Sequence, residues 1–249
     1  MRPVLPKKVL VLGAGSGIGK SILENVKTQS SVFAIGGSRR GFVLPNKFPT
    51  PRLPFSEMED EPNEEFVSGK NYCLDVLDEK SRKAFFDAYK SYFDTIDVVY
   101  FCFGDGIFKP FTKTTTNEFE NHIQLNLVAV FNLLKDVYPF LILSKNAHII
   151  FLGSTASKMG FPESSAYCAS KHGLVGLARS LREEWKDQIR VTAVLLGAVA
   201  TSIWNGREDF SLEDMISEED AGAYLASLTQ IPHSVSLDEI TVLPKKGIL

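Results

Sequence analysis

Cysteine is scarce in this chain of 249 residues: Cys73, Cys102 and Cys168 are far apart and odd in number. They offer no disulfide framework, and together with the 4 histidines they give no metal-ligand spacing, so no metal site is expected. Reduced thiols suit a cytoplasmic setting. Charge of one sign is also lacking, since 27 Lys and Arg against 30 Asp and Glu leave a formal net charge of -3. The pairs Lys7-Lys8 and Arg39-Arg40 are too short to be basic tracts, which argues against nucleic acid as a partner. No run approaches the ~20 apolar residues of a membrane span, so no membrane partner is expected. The longest, around 137–143, is broken by Pro139. The start, Met1 to Lys8, is basic but leads into a short glycine-rich run without a cleavage-site pattern; it reads as a first strand, not a signal peptide.

What remains is the make-up of a globular protein, 44% hydrophobic and 23% charged, long enough for one large α/β domain. Apolar, β-branched runs at 9–12, 32–35, 72–74, 98–101, 148–152, 190–195 and 239–242 read as strands. Helical patterns at 18–28, 79–91, 116–143, 165–186 and 217–229 alternate with them. Such alternation predicts right-handed crossovers and an α/β, doubly wound, Rossmann-like fold: a mostly parallel seven-stranded sheet with helices on both faces. One domain over 1–249 is expected, with its ligand site at the carboxyl ends of the strands. Residues 41–68 break the rhythm with Pro45, Pro49, Pro51, Pro54 and Pro62 and an acidic cluster, and read as a surface insertion.

The first strand runs directly into Gly13-Ala14-Gly15-Ser16-Gly17-Ile18-Gly19 and then a helical stretch. Strand, glycine turn and helix make a dinucleotide-binding context, because the glycines let backbone approach a pyrophosphate and the helix start offers N–H donors. The second strand ends Gly36-Gly37-Ser38-Arg39-Arg40 with no carboxylate to accept from a ribose 2′-OH. An arginine there suits a 2′-phosphate, so NADP is expected in preference to NAD.

Of the 7 tyrosines only Tyr167 has a lysine, Lys171, four residues on, which in a helix places both on one face. Ser154 precedes Tyr167 by thirteen residues and follows the apolar run 148–152, at a strand's carboxyl end. Free tyrosine titrates near 10, too high for efficient proton transfer at neutral pH, and an ammonium beside it is expected to lower that value.

These motifs, taken in order, resemble those of the short-chain dehydrogenases/reductases. Gly13-x-x-x-Gly17-Ile18-Gly19 is similar to that family's glycine turn, with Leu12 in place of its usual threonine. Ser38 and Arg39 stand where the family reads NADP, and Asp75-Val76 resembles its pair at the adenine. The resemblance implies a catalytic set of Asn126, Ser154, Tyr167 and Lys171. Ser154 would hold the substrate oxygen, Tyr167 pass the proton, Lys171 bond the nicotinamide ribose, and Asn126 complete a relay through water. Gly197-Ala198-Val199-Ala200-Thr201 resembles the segment that holds the nicotinamide carboxamide, with Leu196 where a proline is usual. The family's Asn-Asn-Ala-Gly reads Phe101-Cys102-Phe103-Gly104 and keeps only Gly104.

The resemblance implies an NADP(H)-dependent oxidoreductase acting on a carbonyl or secondary alcohol, assembled as a homodimer or homotetramer. A lid at 202–216 and the aromatics Phe103, Phe108, Phe161, Trp204 and Phe210 imply an uncharged, fairly apolar small-molecule substrate. Two rivals share the fold: an NADP(H)-binding sensor with little turnover, motivated by the altered 101–104 segment, and an isomerase or dehydratase using the same tyrosine.

Overall fold

The computed structural model describes residues 6–42, 67–207 and 210–249. Seven strands build one sheet: β1 (Lys7–Leu12), β2 (Val32–Ser38), β3 (Asn71–Cys73), β4 (Val98–Phe101), β5 (His148–Ser154), β6 (Arg190–Leu196) and β7 (Glu239–Val242). Their order is β3-β2-β1-β4-β5-β6-β7, and every pairing is parallel. The crossovers carry α1 (Gly17–Val26), α2 (Glu79–Tyr92), α3 (Thr116–Ile123), α4 (Ala129–Leu141), α5 (Ser165–Trp185) and α6 (Glu218–Ser227). This is the doubly wound, seven-stranded architecture expected from the alternating pattern.

Successive side chains of a strand point to opposite faces, so each strand feeds two apolar layers. Leu10 and Leu12 pack with Phe85 of α2, Leu133 of α4 and Leu174 of α5. Val9 and Val11 pack with Ile22 of α1 and Leu225 of α6 on the other side. Both faces being covered, the strands read as continuous apolar runs. Asp78 caps α2 by accepting from the amides of Lys80 and Ser81, and Thr115 with Glu118 forms a reciprocal capping box on α3.

Element ends shift by a few residues from the sequence expectation, and two of the differences bear on the site. β2 continues to Ser38, because Gly36 and Gly37 lack side chains that signal a strand yet still pair with Val11 and Leu12. The single helix expected over 116–143 is divided by a π-helical turn, Gln124–Val128, with Asn126 at its middle. A π turn inserts one residue without breaking the helix, so apolar periodicity does not reveal it. Most of the insertion expected at 41–68, residues 43–66, lies outside the described residues. Among the described residues no helix is long and apolar enough to cross a membrane, and no cluster of potential metal ligands is found.

Candidate active site

The carboxyl ends of the strands frame a cavity of about 730 Å³. At one end lies the glycine turn. Gly13 takes a φ of +95°, and a Cβ there would stand 2.6 Å from the amide nitrogen of Phe103. A Cβ on Gly19 would stand 2.3 Å from the carbonyl oxygen of Gly13. The turn and the start of α1 can therefore close on each other only without side chains. Ser16, at the N-cap of α1, makes no side-chain cap, so the first-turn amides are not claimed by its hydroxyl. Gly13, Gly15, Ser16, Gly17 and Ile18 all line the cavity.

The end of β2 forms the next stretch of wall, with Ser38, Arg39 and Arg40. Ser38 Oγ accepts from Asn71 Nδ2 at 2.7 Å, and an Arg40 guanidinium nitrogen lies 3.4 Å from Ser16 Oγ. Arg40 and Asn71 were not singled out from sequence; Asn71 sits on β3, which only the strand pairing brings beside Ser38. Val76 lines the cavity, whereas Asp75 does not. The Asp75 carboxylate accepts the amide of Leu77 at 3.0 Å, an Asx turn that holds it in its own loop. These residues fit a nicotinamide dinucleotide: an uncapped helix start and a cradle that a Cβ would fill.

The middle of the cavity holds the hydroxyl pair. Ser154 ends β5, where its Oγ accepts from the amide of Ala156 at 3.1 Å and hydrogen-bonds the phenol of Tyr167. Tyr167 and Lys171 lie one turn apart on α5, with the lysine Nζ 5.7 Å from the phenol ring centre. That Nζ donates to the carbonyl of Leu152 at 2.9 Å. Burial pushes the Lys171 ammonium down from 10.5 to about 8. Tyr167 departs from expectation, because burial raises its phenol above the ordinary value and the Ser154 hydrogen bond offsets only part of this. The lysine, drawn toward Leu152, does not lower it. A phenol so placed is a fully protonated donor at neutral pH.

Asn126 is buried and does not reach the cavity wall. Its Oδ1 accepts from the amide of Asp105 at 3.0 Å, and its Nδ2 donates to the carbonyl of Asp105 at 2.9 Å and to Ser170 Oγ at 3.1 Å. Ser170 Oγ in turn donates to the carbonyl of Tyr167 at 2.8 Å. The side chain thus clamps the loop after β4 to the helix bearing Tyr167. Gly104, in that loop, has a φ of +156° and lines the cavity. His122, unmarked in the sequence, is buried with its ring edge-on to Tyr167 at 6.1 Å.

Beyond β6, Gly197, Val199 and Thr201 line the cavity. The Val199 carbonyl accepts from the Thr201 amide at 2.7 Å and from the Trp204 indole at 2.9 Å. The expected lid, 202–216, contains two 3-10 turns, Ser202–Trp204 and Leu212–Asp214; residues 208 and 209 lie outside the described residues. All five expected aromatics, Phe103, Phe108, Phe161, Trp204 and Phe210, line the cavity. So do Arg207, Ile248 and Leu249, which carry no sequence signal because each lies in irregular chain.

A family model described as short chain dehydrogenase matches residues 52–211. The chain is 27% identical over 219 residues to the 3-oxoacyl-(acyl-carrier-protein) reductase FabG of Haemophilus influenzae, covering 87% of this chain and 84% of that protein. It is 23% identical over 253 residues to the glycine betaine reductase ATRR of Emericella nidulans; the match takes in 98% of this chain but spans only 19% of that protein. Among solved structures it resembles an alcohol dehydrogenase from the archaeon Thermococcus sibiricus complexed with 5-hydroxy-NADP. The TM-score is 0.77 at 21% identity, over 96% of this chain and 97% of the other.

Proposed function

The chain belongs to the short-chain dehydrogenase family, and from that premise we propose that it is an NADP(H)-dependent oxidoreductase working on a carbonyl or secondary alcohol, with Tyr167 as general acid and base. The observation that carries this reading is one continuous cavity, lined from the glycine turn and Arg39 to Ser154, Tyr167 and Lys171. Bound there, the nicotinamide would supply or take the hydride. The turn Gly13–Gly19 would cradle the pyrophosphate, Ser38, Arg39 and Arg40 the 2′-phosphate, and Val199 and Thr201 the carboxamide. Ser154 and Tyr167, already hydrogen-bonded to each other, would converge on the substrate oxygen. Protonated Tyr167 would donate as negative charge gathers on that oxygen, and the Lys171 ammonium, once turned from the Leu152 carbonyl toward the phenol, would stabilise the phenolate left behind. The aromatic wall suits an apolar substrate body.

The Lys171 ammonium sets a pH limit whose sign follows from its lowered value. Its charge is present below about 8 and lost above it, so the phenolate loses its cationic neighbour on the alkaline side. The pH profile of kcat/KM reports groups of the free enzyme. For carbonyl reduction it is expected to fall as pH rises through about 8. A profile flat up to about pH 10, where ordinary lysine titrates, would remove Lys171 from this role.

Cofactor choice is tested by titrating the protein with NADPH and NADH. Charge-assisted hydrogen bonds to a phosphate are expected to favour NADPH by about 10- to 100-fold. The variant with Arg39→Ala and Arg40→Ala should lose most of that margin. Tighter binding of NADH by the unaltered protein would overturn the assignment. With NADPH bound, a panel of carbonyls then separates an enzyme from a cofactor-binding sensor.

A further inference from the structure

The Ser38 hydroxyl is held from behind by a neighbouring strand. In the parallel pairing of β2 with β3, Asn71 stands beside Gly36, and Ser38, two residues on, shares that face of the sheet. A Cβ on Gly36 would lie 3.0 Å from Asn71 Oδ1, so its absence leaves room for the amide to reach across toward Ser38. The Asn71 Nδ2 donates to Ser38 Oγ at 2.7 Å. Its Oδ1 is buried and, among the described residues, has no hydrogen-bond partner. The glycine turn closes on the same hydroxyl, since a Cβ on Gly15 would stand 2.6 Å from Ser38 Oγ. A hydroxyl that accepts from the amide must point its own hydrogen elsewhere, and Ser38 lines the cavity beside Arg39 and Arg40. Toward the cavity it is then a donor, which suits a phosphate oxygen, a group that only accepts. With an acceptor behind it instead, the hydroxyl would give its hydrogen away and could only accept from the cavity. That role suits the ribose 2′-hydroxyl of NADH.

We propose that Asn71 is a positioning residue for cofactor choice. By donating to Ser38 Oγ it fixes that hydroxyl as a donor toward the 2′-phosphate of NADPH. This deepens the NADP(H) reading of the same cavity and rests on it. Asn71 acts only through Ser38, which separates its part from that of the arginines.

The test titrates NADPH and NADH, followed by cofactor fluorescence, into the unaltered protein and its Asn71 variants, and compares the ratio of the two Kd values. Asn71→Leu, of similar shape but without a donor, should lower the preference for NADPH by about 2- to 10-fold, as one neutral hydrogen bond provides. Asn71→Asp puts an acceptor behind the hydroxyl and a negative charge near the phosphate, and should lower it by about 10- to 100-fold. Because each ratio is taken on one preparation, loss of folded protein cancels. With Ser38→Ala already in place, Asn71→Leu should change the ratio no further, and the effect of Asn71→Asp should shrink to direct repulsion alone. A preference unchanged in Asn71→Leu would overturn the proposal while leaving the NADP(H) reading intact. So would an equal fall in the Ser38→Ala background, which a merely structural role of Asn71 would produce. Tighter binding of NADH by the unaltered protein, or binding of neither cofactor, would remove that reading and the proposal with it.

Discussion

Replacing the Tyr167 hydroxyl, as in Tyr167→Phe, is expected to lower kcat for carbonyl reduction by about 10²- to 10⁴-fold, the range of a lost general acid. The ring remains to pack against Phe108 and His122, so the fold should survive. The loss should therefore appear in kcat, with the melting temperature close to that of the unaltered protein. The reason lies in the environment of the phenol. Burial keeps its proton on, and the neighbouring Ser154 hydroxyl presents a second hydrogen-bonding group to the same substrate oxygen. Without the phenol, serine alone can hold that oxygen but has no proton of suitable acidity to give. Turnover retained within a few-fold would mean that another group protonates the oxygen, and the assignment of Tyr167 would fall.

The second large effect is expected at the other end of the cavity. Gly19→Ala would place a Cβ 2.3 Å from the carbonyl oxygen of Gly13 and 3.1 Å from the Cys102 Cβ. The nearest obstacle is backbone, which cannot rotate aside. Either α1 moves off β1 or the glycine turn opens. Overpacking of this kind costs about 1–3 kcal/mol, occasionally more. For a chain of this size that is a fall of roughly 2–4 °C in Tm per kcal/mol. NADPH affinity should fall with it, since the turn that opens is the one lining the cofactor end. Gly176→Ala is the matched control. Gly176 is exposed on α5 and a Cβ there meets nothing within 4 Å, so relief of helix-destabilising glycine should leave Tm unchanged or slightly raised. Equal behaviour of the two variants would show that close packing of α1 on β1 is not what Gly19 provides.

Much of this fold was legible because its signals are local. Runs such as Val98–Phe101 are apolar on both faces and flanked by helical patterns, and that suffices for a covered parallel sheet. Tyr167 and Lys171 were legible because one helical turn fixes their shared face whatever surrounds them. Where surroundings decide, sequence gave less. The direction of the Tyr167 shift depends on burial and on Lys171 turning to the Leu152 carbonyl, both products of tertiary packing. Asp75 kept its place in the chain order, but that its carboxylate accepts the Leu77 amide two residues on is seen only in the folded loop. Asn126 was found by its neighbours in sequence, but its work as a clamp needs Asp105 and Ser170, which only the folded chain brings near. Arg207 was missed altogether, since irregular chain has no periodicity that assigns a side chain to a wall.

The order β3-β2-β1-β4-β5-β6-β7 also governs the sequence of events as the chain leaves the ribosome. β1 is made first, but its second neighbour, β4, does not exist until residue 101 has been added. Ser154 acquires its partner Leu196 only after the whole of α5 has been made. None of the six pairings joins strands by a tight hairpin, so each closes a long loop before any contact repays it. The chain is thus slow to fold for its length, and the open edges of β1 and β5 mark the interval in which it is most exposed to aggregation.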